Sequence, residues 1–72
     1  MANSFRKGQK VHWTWADDKA HGVVQERFER RVQRTLKGTK VVRNGSAKNP
    51  AYLIEQTDGG KVLKLGRELG SD

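Results

Sequence analysis

The chain has 72 residues, no cysteine, and fifteen Lys and Arg against eight Asp and Glu, a formal net charge of +7. Without cysteine it has neither disulfides nor thiolate metal sites, and a chain this short buries only about 60% of its unfolded surface, so a single domain over residues 1–72, ordered from about 5 to 69, is expected. No apolar run nears the ~20 residues a membrane-spanning helix needs, and Met1-Ala2-Asn3-Ser4-Phe5-Arg6-Lys7 lacks the apolar region of an export signal, so a cytoplasmic protein with no membrane partner is expected.

In chain order, Gly8 marks a first turn, and in Lys10-Val11-His12-Trp13-Thr14-Trp15 the apolar Val11, Trp13 and Trp15 alternate with polar residues. Period 2 is the pattern of a half-buried strand. Asp17-Asp18-Lys19 reads as a polar loop. The run from His21 to Leu36 is open to two readings. Val24, Phe28, Val32 and Leu36 recur every four residues, and Glu26 and Arg30 stand at helical i, i+4 spacing. The same even positions also fit one strand face, with the long Arg stems lying between apolar side chains.

Lys37-Gly38 has hairpin-turn character and leads into Thr39 to Arg43, which Asn44-Gly45 ends as a further turn dipeptide. Ser46 to Pro50 is a loop, since Asn49 before Pro50 is biased away from helix. Ala51-Tyr52-Leu53-Ile54 places four apolar residues in succession, the mark of a strand buried on both faces. Asp58-Gly59-Gly60 turns the chain into the strand Lys61 to Leu65. A helical turn at Arg67-Glu68-Leu69 would plug the core with Leu69, and Gly70-Ser71-Asp72 should fray. Five short strands with tight turns predict an all-β fold, a small five-stranded barrel whose closure hides its strand edges.

Several segments resemble one known family. Phe5-Arg6-Lys7-Gly8-Gln9-Lys10-Val11-His12-Trp13 resembles the F-x-K-G-D-x-V-x-W opening of the hypervirulence-associated protein Tudor domain, with Gln9 in place of the usual Asp. Gly22-Val23-Val24 resembles its second strand, and Gln25 to Asn44 its middle segment. Asn49-Pro50-Ala51-Tyr52-Leu53-Ile54-Glu55-Gln56, Asp58 to Lys64 and Glu68-Leu69 resemble its C-terminal half, and the N-P-A-Y-L-I block is the most specific part. The resemblance implies a Tudor-like, SH3-like barrel and favours strands over helix between His21 and Leu36. It implies no particular ligand.

Charge points to the function class. From Val24 to Lys48 there are eight cations against Glu26 and Glu29, a local charge of +6. Such a concentration attracts polyanions. Arg27, Arg30, Arg31, Arg34, Lys37, Lys40 and Arg43 are therefore the candidate nucleic-acid contacts, weak, salt-sensitive and independent of sequence. A hairpin over 27–43 would set Arg27 and Arg31 on one side and Arg30 and Arg34 on the other. The alternative is a protein-interaction module that takes an acidic or peptide partner at an aromatic rim of Trp15 and Tyr52 with Asp17 and Asp18, the composition of a cation–π cage. Trp13 and Phe28 read as core. Two histidines, His12 and His21, are too few for a usual metal site, and a barrel filled by side chains offers no catalytic cavity. No enzyme activity, metal, cofactor or small-molecule substrate is expected.

Overall fold

The computed structural model describes residues 4–15, 17–57 and 59–71. All regular structure among them is strand apart from one 3₁₀ turn: β1 (Lys10–Trp15), β2 (Asp18–Phe28), β3 (Arg31–Leu36), β4 (Thr39–Asn44), β5 (Ala51–Gln56), β6 (Lys61–Leu65), the 3₁₀ turn Gly66–Glu68, and β7 (Gly70–Ser71). Among the described residues no helix is long and apolar enough to cross a membrane. The strands form two antiparallel sheets, one of five strands in the order β6-β5-β2-β1-β7 and one of two, β3-β4.

The alternating segment from Lys10 is a strand, with Val11 and Trp13 buried. Its return is tighter than the expected Asp17-Asp18-Lys19 loop, for Asp18 already pairs with Trp15 and Lys19 with Thr14. The His21 to Leu36 run is extended, as the second reading held, but it is not one strand. It breaks at Glu29-Arg30, and β3 leaves the first sheet and pairs with β4 in a two-stranded sheet.

The even-position pattern also changes phase. Val24 pairs with Ile54 while Glu26 pairs with Leu53, so Gln25 is an extra residue and a one-residue register shift follows. An inserted residue flips every later side chain to the opposite face. Val24 therefore joins Phe5, Val11, Trp13, Tyr52, Ile54 and Leu69 in one core cluster, whereas Phe28 joins Val32, Ala51, Leu53 and Leu63 in a second. β5 lies between the two. Its Tyr52 and Ile54 face the first cluster, its Ala51 and Leu53 the second, and all four are buried.

β1, β2 and β5 all send side chains into the first cluster, with Val62 of β6 packed against it, so the five-stranded sheet is curled around that core. The curl does not close. Among the described residues β6 and β7 remain its two edges, with no ladder between them, and the strands make two sheets of seven strands in all rather than the expected closed five-stranded barrel. The β3-β4 hairpin covers the second cluster, with Val32 buried in it and Leu36 and Val41 packed against it. Covering that face with a hairpin is the physical alternative to leaving Leu53 and Leu63 in water.

Glycine fixes both ends of the hairpin. At its tip Lys37 and Gly38 have φ of 52° and 76°, the double positive φ of a two-residue turn between twisted strands. At its neck the chain departs at Arg30 and returns at Gly45, whose N–H donates to the Arg30 carbonyl at 3.1 Å. A Cβ on Gly45 would lie 2.5 Å from the Phe28 carbonyl oxygen and 2.8 Å from the Ala51 nitrogen, so Asn44-Gly45 serves close backbone approach rather than a reversal. Of the C-terminal residues expected to fray, Gly70 and Ser71 form a strand instead, and Asp72 lies outside the described residues. Gly70 and Ser71 pair with His12 and Val11, and Leu69 is buried in the first cluster.

Candidate nucleic-acid interface

The seven candidate cations fall into three environments. Arg27 is on β2, in the first sheet, and is spoken for. Its guanidinium pairs with Glu29, and a hydrogen bond to the Tyr52 phenol, then the Glu29 carboxylate, push its pKa above the ordinary arginine value. A cation whose pKa is raised on folding keeps its stabilising contribution below its unfolded pKa and loses it only in strong alkali.

Arg30 and Arg34 lie over Phe28, their guanidinium carbons 5.4 Å and 5.0 Å from the ring centroid. Each such contact is worth about 0.5–1 kcal/mol at a partly exposed site. Arg30 Nη1 also donates to the Arg31 carbonyl and Arg34 Nη1 to the Gln33 carbonyl. The expected interleaving of Arg stems with apolar side chains is thus present, and it gives these two residues a structural task.

The remaining cations divide between the hairpin's two faces. Cross-strand pairs share a face. Val32 pairs with Arg43 and Arg34 with Val41, so Arg34 and Arg43 are on the face that covers the core. Arg31 pairs with Asn44, Gln33 with Val42 and Thr35 with Lys40, which puts Arg31 and Lys40 on the outer face beside three uncharged hydrogen-bonding side chains. Lys37 stands at the exposed tip. Arg43 Nε is 3.8 Å from Glu68. The expected division of Arg27 and Arg31 from Arg30 and Arg34 across one ribbon is therefore replaced. Arg27 is outside the hairpin and Arg30 precedes it.

Of the aromatic-rim residues, Tyr52 is apart from Asp17 and Asp18. Tyr52 is wholly buried, its hydroxyl accepting the Phe5 N–H at 2.9 Å and its ring edge-on to Phe5. Tyr52 is opposite Arg27, near the other end of β2 from Asp18. Asp17 and Asp18 are exposed, and Asp18 Oδ1 accepts the Lys19 N–H. The Trp15 side chain is outside the described residues. Trp13 and Phe28 are buried, as expected of core. No group of three or more His, Asp or Glu able to hold a metal occurs among the described residues.

Sequence reasoning missed Phe28 as the platform for two arginines. The signal was present, because Phe28, Arg30 and Arg34 share one parity along the chain.

A curled five-stranded sheet with a basic hairpin laid over its outer face defines a small all-β module of the Tudor class, a class of generally non-catalytic binding domains. The model of the hypervirulence-associated proteins' Tudor domain matches residues 8–69, and the chain belongs to that family. No curated protein and no solved structure matches it.

Proposed function

We propose that residues 1–72 act as one binding module that contacts the phosphate backbone of nucleic acid through the outer face and tip of the β3-β4 hairpin, with Arg31, Lys37 and Lys40 as the principal contacts. One observation carries the reading. No Asp or Glu occurs between Glu29 and Glu55, while that interval holds Arg30, Arg31, Arg34, Lys37, Lys40, Arg43 and Lys48. An acid-free cationic ribbon carrying Gln33, Thr35 and Asn44 suits phosphate, which takes both charge and hydrogen-bond donors. Arg30, Arg34 and Arg43 flank this face and add to its field, while Arg27 is neutralised by Glu29. The contact reads charge and not sequence, because phosphate contacts carry no base information.

Titration of labelled single- and double-stranded DNA and RNA at low and moderate salt tests this. Each duplex phosphate neutralised contributes about 0.9 to the slope of log K against log salt, so three contacts predict a fall of roughly 40-fold in affinity between 50 and 200 mM. Absence of binding at low salt overturns the reading.

A further inference from the structure

Where the curled sheet stops short of closing, the two core clusters come to the surface side by side. Trp13 pairs with Ala20, and Val62 with Ile54, so these side chains share the face of the first cluster. Leu36 and Val41 are on the hairpin face that meets the second cluster. Ala20 and Val62 from the one side, and Leu36 and Val41 from the other, are only half-buried. All four line a single groove of about 550 Å³, together with Trp13. A closed barrel filled by side chains would have no such space, and the expectation of no small-molecule ligand rested on that closure.

Half-exposed apolar side chains gathered in one place mark binding grooves, and the volume falls within the roughly 300–1,000 Å³ of small-ligand sites. The shape of the occupant is restricted. β3 and β4 both pack against β6, and Leu63 is only 2% exposed, so the groove has no room for an added strand and takes a compact molecule.

Charge restricts it further. The rim carries Lys37, Arg43, Lys61 and Lys64, and no described Asp or Glu lines the groove. Glu68 is 3.8 Å from Arg43 and 4.0 Å from Lys64, and Arg43 Nη1 donates to the Val42 carbonyl, so these two cations are engaged. Lys37 and Lys61 are exposed and have no ion-pair partner among the described residues. A lysine ammonium is a point charge on a flexible stem and suits a single anionic head. The half-buried floor is aliphatic. Trp13, 3% exposed, offers no ring face for stacking, so an aliphatic body fits where a nucleobase or another aromatic ring does not.

We infer that this groove binds a small aliphatic anion, a medium-chain fatty carboxylate. Its acyl chain lies on Ala20, Leu36, Val41 and Val62, and its carboxylate meets the lysine rim at Lys37 and Lys61. The chain gains by leaving water, and each methylene buried tightens binding about fourfold. The head gains charge-assisted hydrogen bonds from the ammonium groups. The site is distinct from the outer hairpin face, with Lys37 at the tip bordering both.

The probe is decanoate, kept below its micelle-forming concentration, titrated into the 72-residue protein and followed by chemical shifts and calorimetry. Binding should shift the Trp13 indole, the Ala20, Leu36, Val41 and Val62 methyl groups and the Lys61 amide. Octanoate should bind about tenfold more weakly, since it buries two methylenes fewer. Ala20→Leu fills the groove beside Trp13 and should weaken decanoate about fivefold or more by displacing part of the chain. Lys61→Glu, on an exposed side chain, should weaken it by up to about fivefold. Arg31→Gln with Lys40→Gln, on the opposite hairpin face, should leave the affinity within about twofold, because solvent screens those charges from the groove. The inference is overturned if millimolar decanoate leaves the groove resonances unmoved, if octanoate and decanoate bind equally, if decyltrimethylammonium binds as well as decanoate, or if folded Ala20→Leu and Lys61→Glu both keep the parent affinity.

Discussion

Arg27 faces Glu29 and the Tyr52 hydroxyl, whereas Arg31, four positions later, stands exposed opposite Asn44 on the outer face of the hairpin. Residue type alone does not separate them, which is why both entered the candidate set. Arg27→Ala should leave polyanion affinity within about twofold, while Arg31→Glu should lower it about tenfold or more at low salt, as removal and reversal of a phosphate contact would. Tyr52→Phe removes the acceptor that serves the Phe5 N–H. A buried donor left unsatisfied costs about 1–3 kcal/mol, read as a lower urea midpoint at unchanged slope. Gly45→Ala should be worse. The atoms its Cβ would meet belong to the backbone at Phe28, Arg30 and Ala51 and cannot rotate aside. A loss of about 3 kcal/mol or more is expected, toward the upper end for an overpacked site, and thermal unfolding measures it.

At the scale of the element, β5 was legible and β2 was not. Ala51 to Ile54 are four apolar residues in a row, and such a run buries both faces wherever it occurs, so the sequence carries the answer locally. The register shift at Gln25 has no such mark. Gln25 is an ordinary polar residue, and the shift follows from the demand that Val24 and Phe28 serve different clusters. The break at Glu29-Arg30 likewise lacks Gly or Pro. It is imposed by the tertiary need to lay Val32 over Leu53 and Leu63. Gly70-Ser71 pairs with β1 despite its turn-prone composition, because ladder partners at Val11 and His12 are within reach. The Lys37-Gly38 tip was legible from the dipeptide and can be improved. Lys37 holds φ at 52°, where Asn is better tolerated. Lys37→Asn should stabilise the protein by about 0.5–1 kcal/mol, since a left-handed residue without a suitable side chain costs on the order of 1 kcal/mol. Chemical unfolding checks it.

Across the whole molecule, the hairpin completes a second core cluster on the outer face of the five-stranded sheet. The five-stranded sheet curls around its own core, and β3-β4, a stretch of chain without Asp or Glu, covers its outer face. Composition located this stretch, but its division into inner, outer and tip positions depended on pairing register, which the positions of the cations alone do not encode. The same arrangement separates two surfaces, a polar cationic face outward and an apolar, cation-rimmed seam along β6. The most direct measurement is an amide chemical-shift map with a labelled 20-nucleotide DNA duplex at 50 mM salt. Shifts at Arg31, Gln33, Thr35, Lys37 and Lys40 that vanish at 500 mM salt are predicted. A protein that shows no shifts at low salt, or shifts confined to Trp13 and Lys61 to Lys64, would contradict the account.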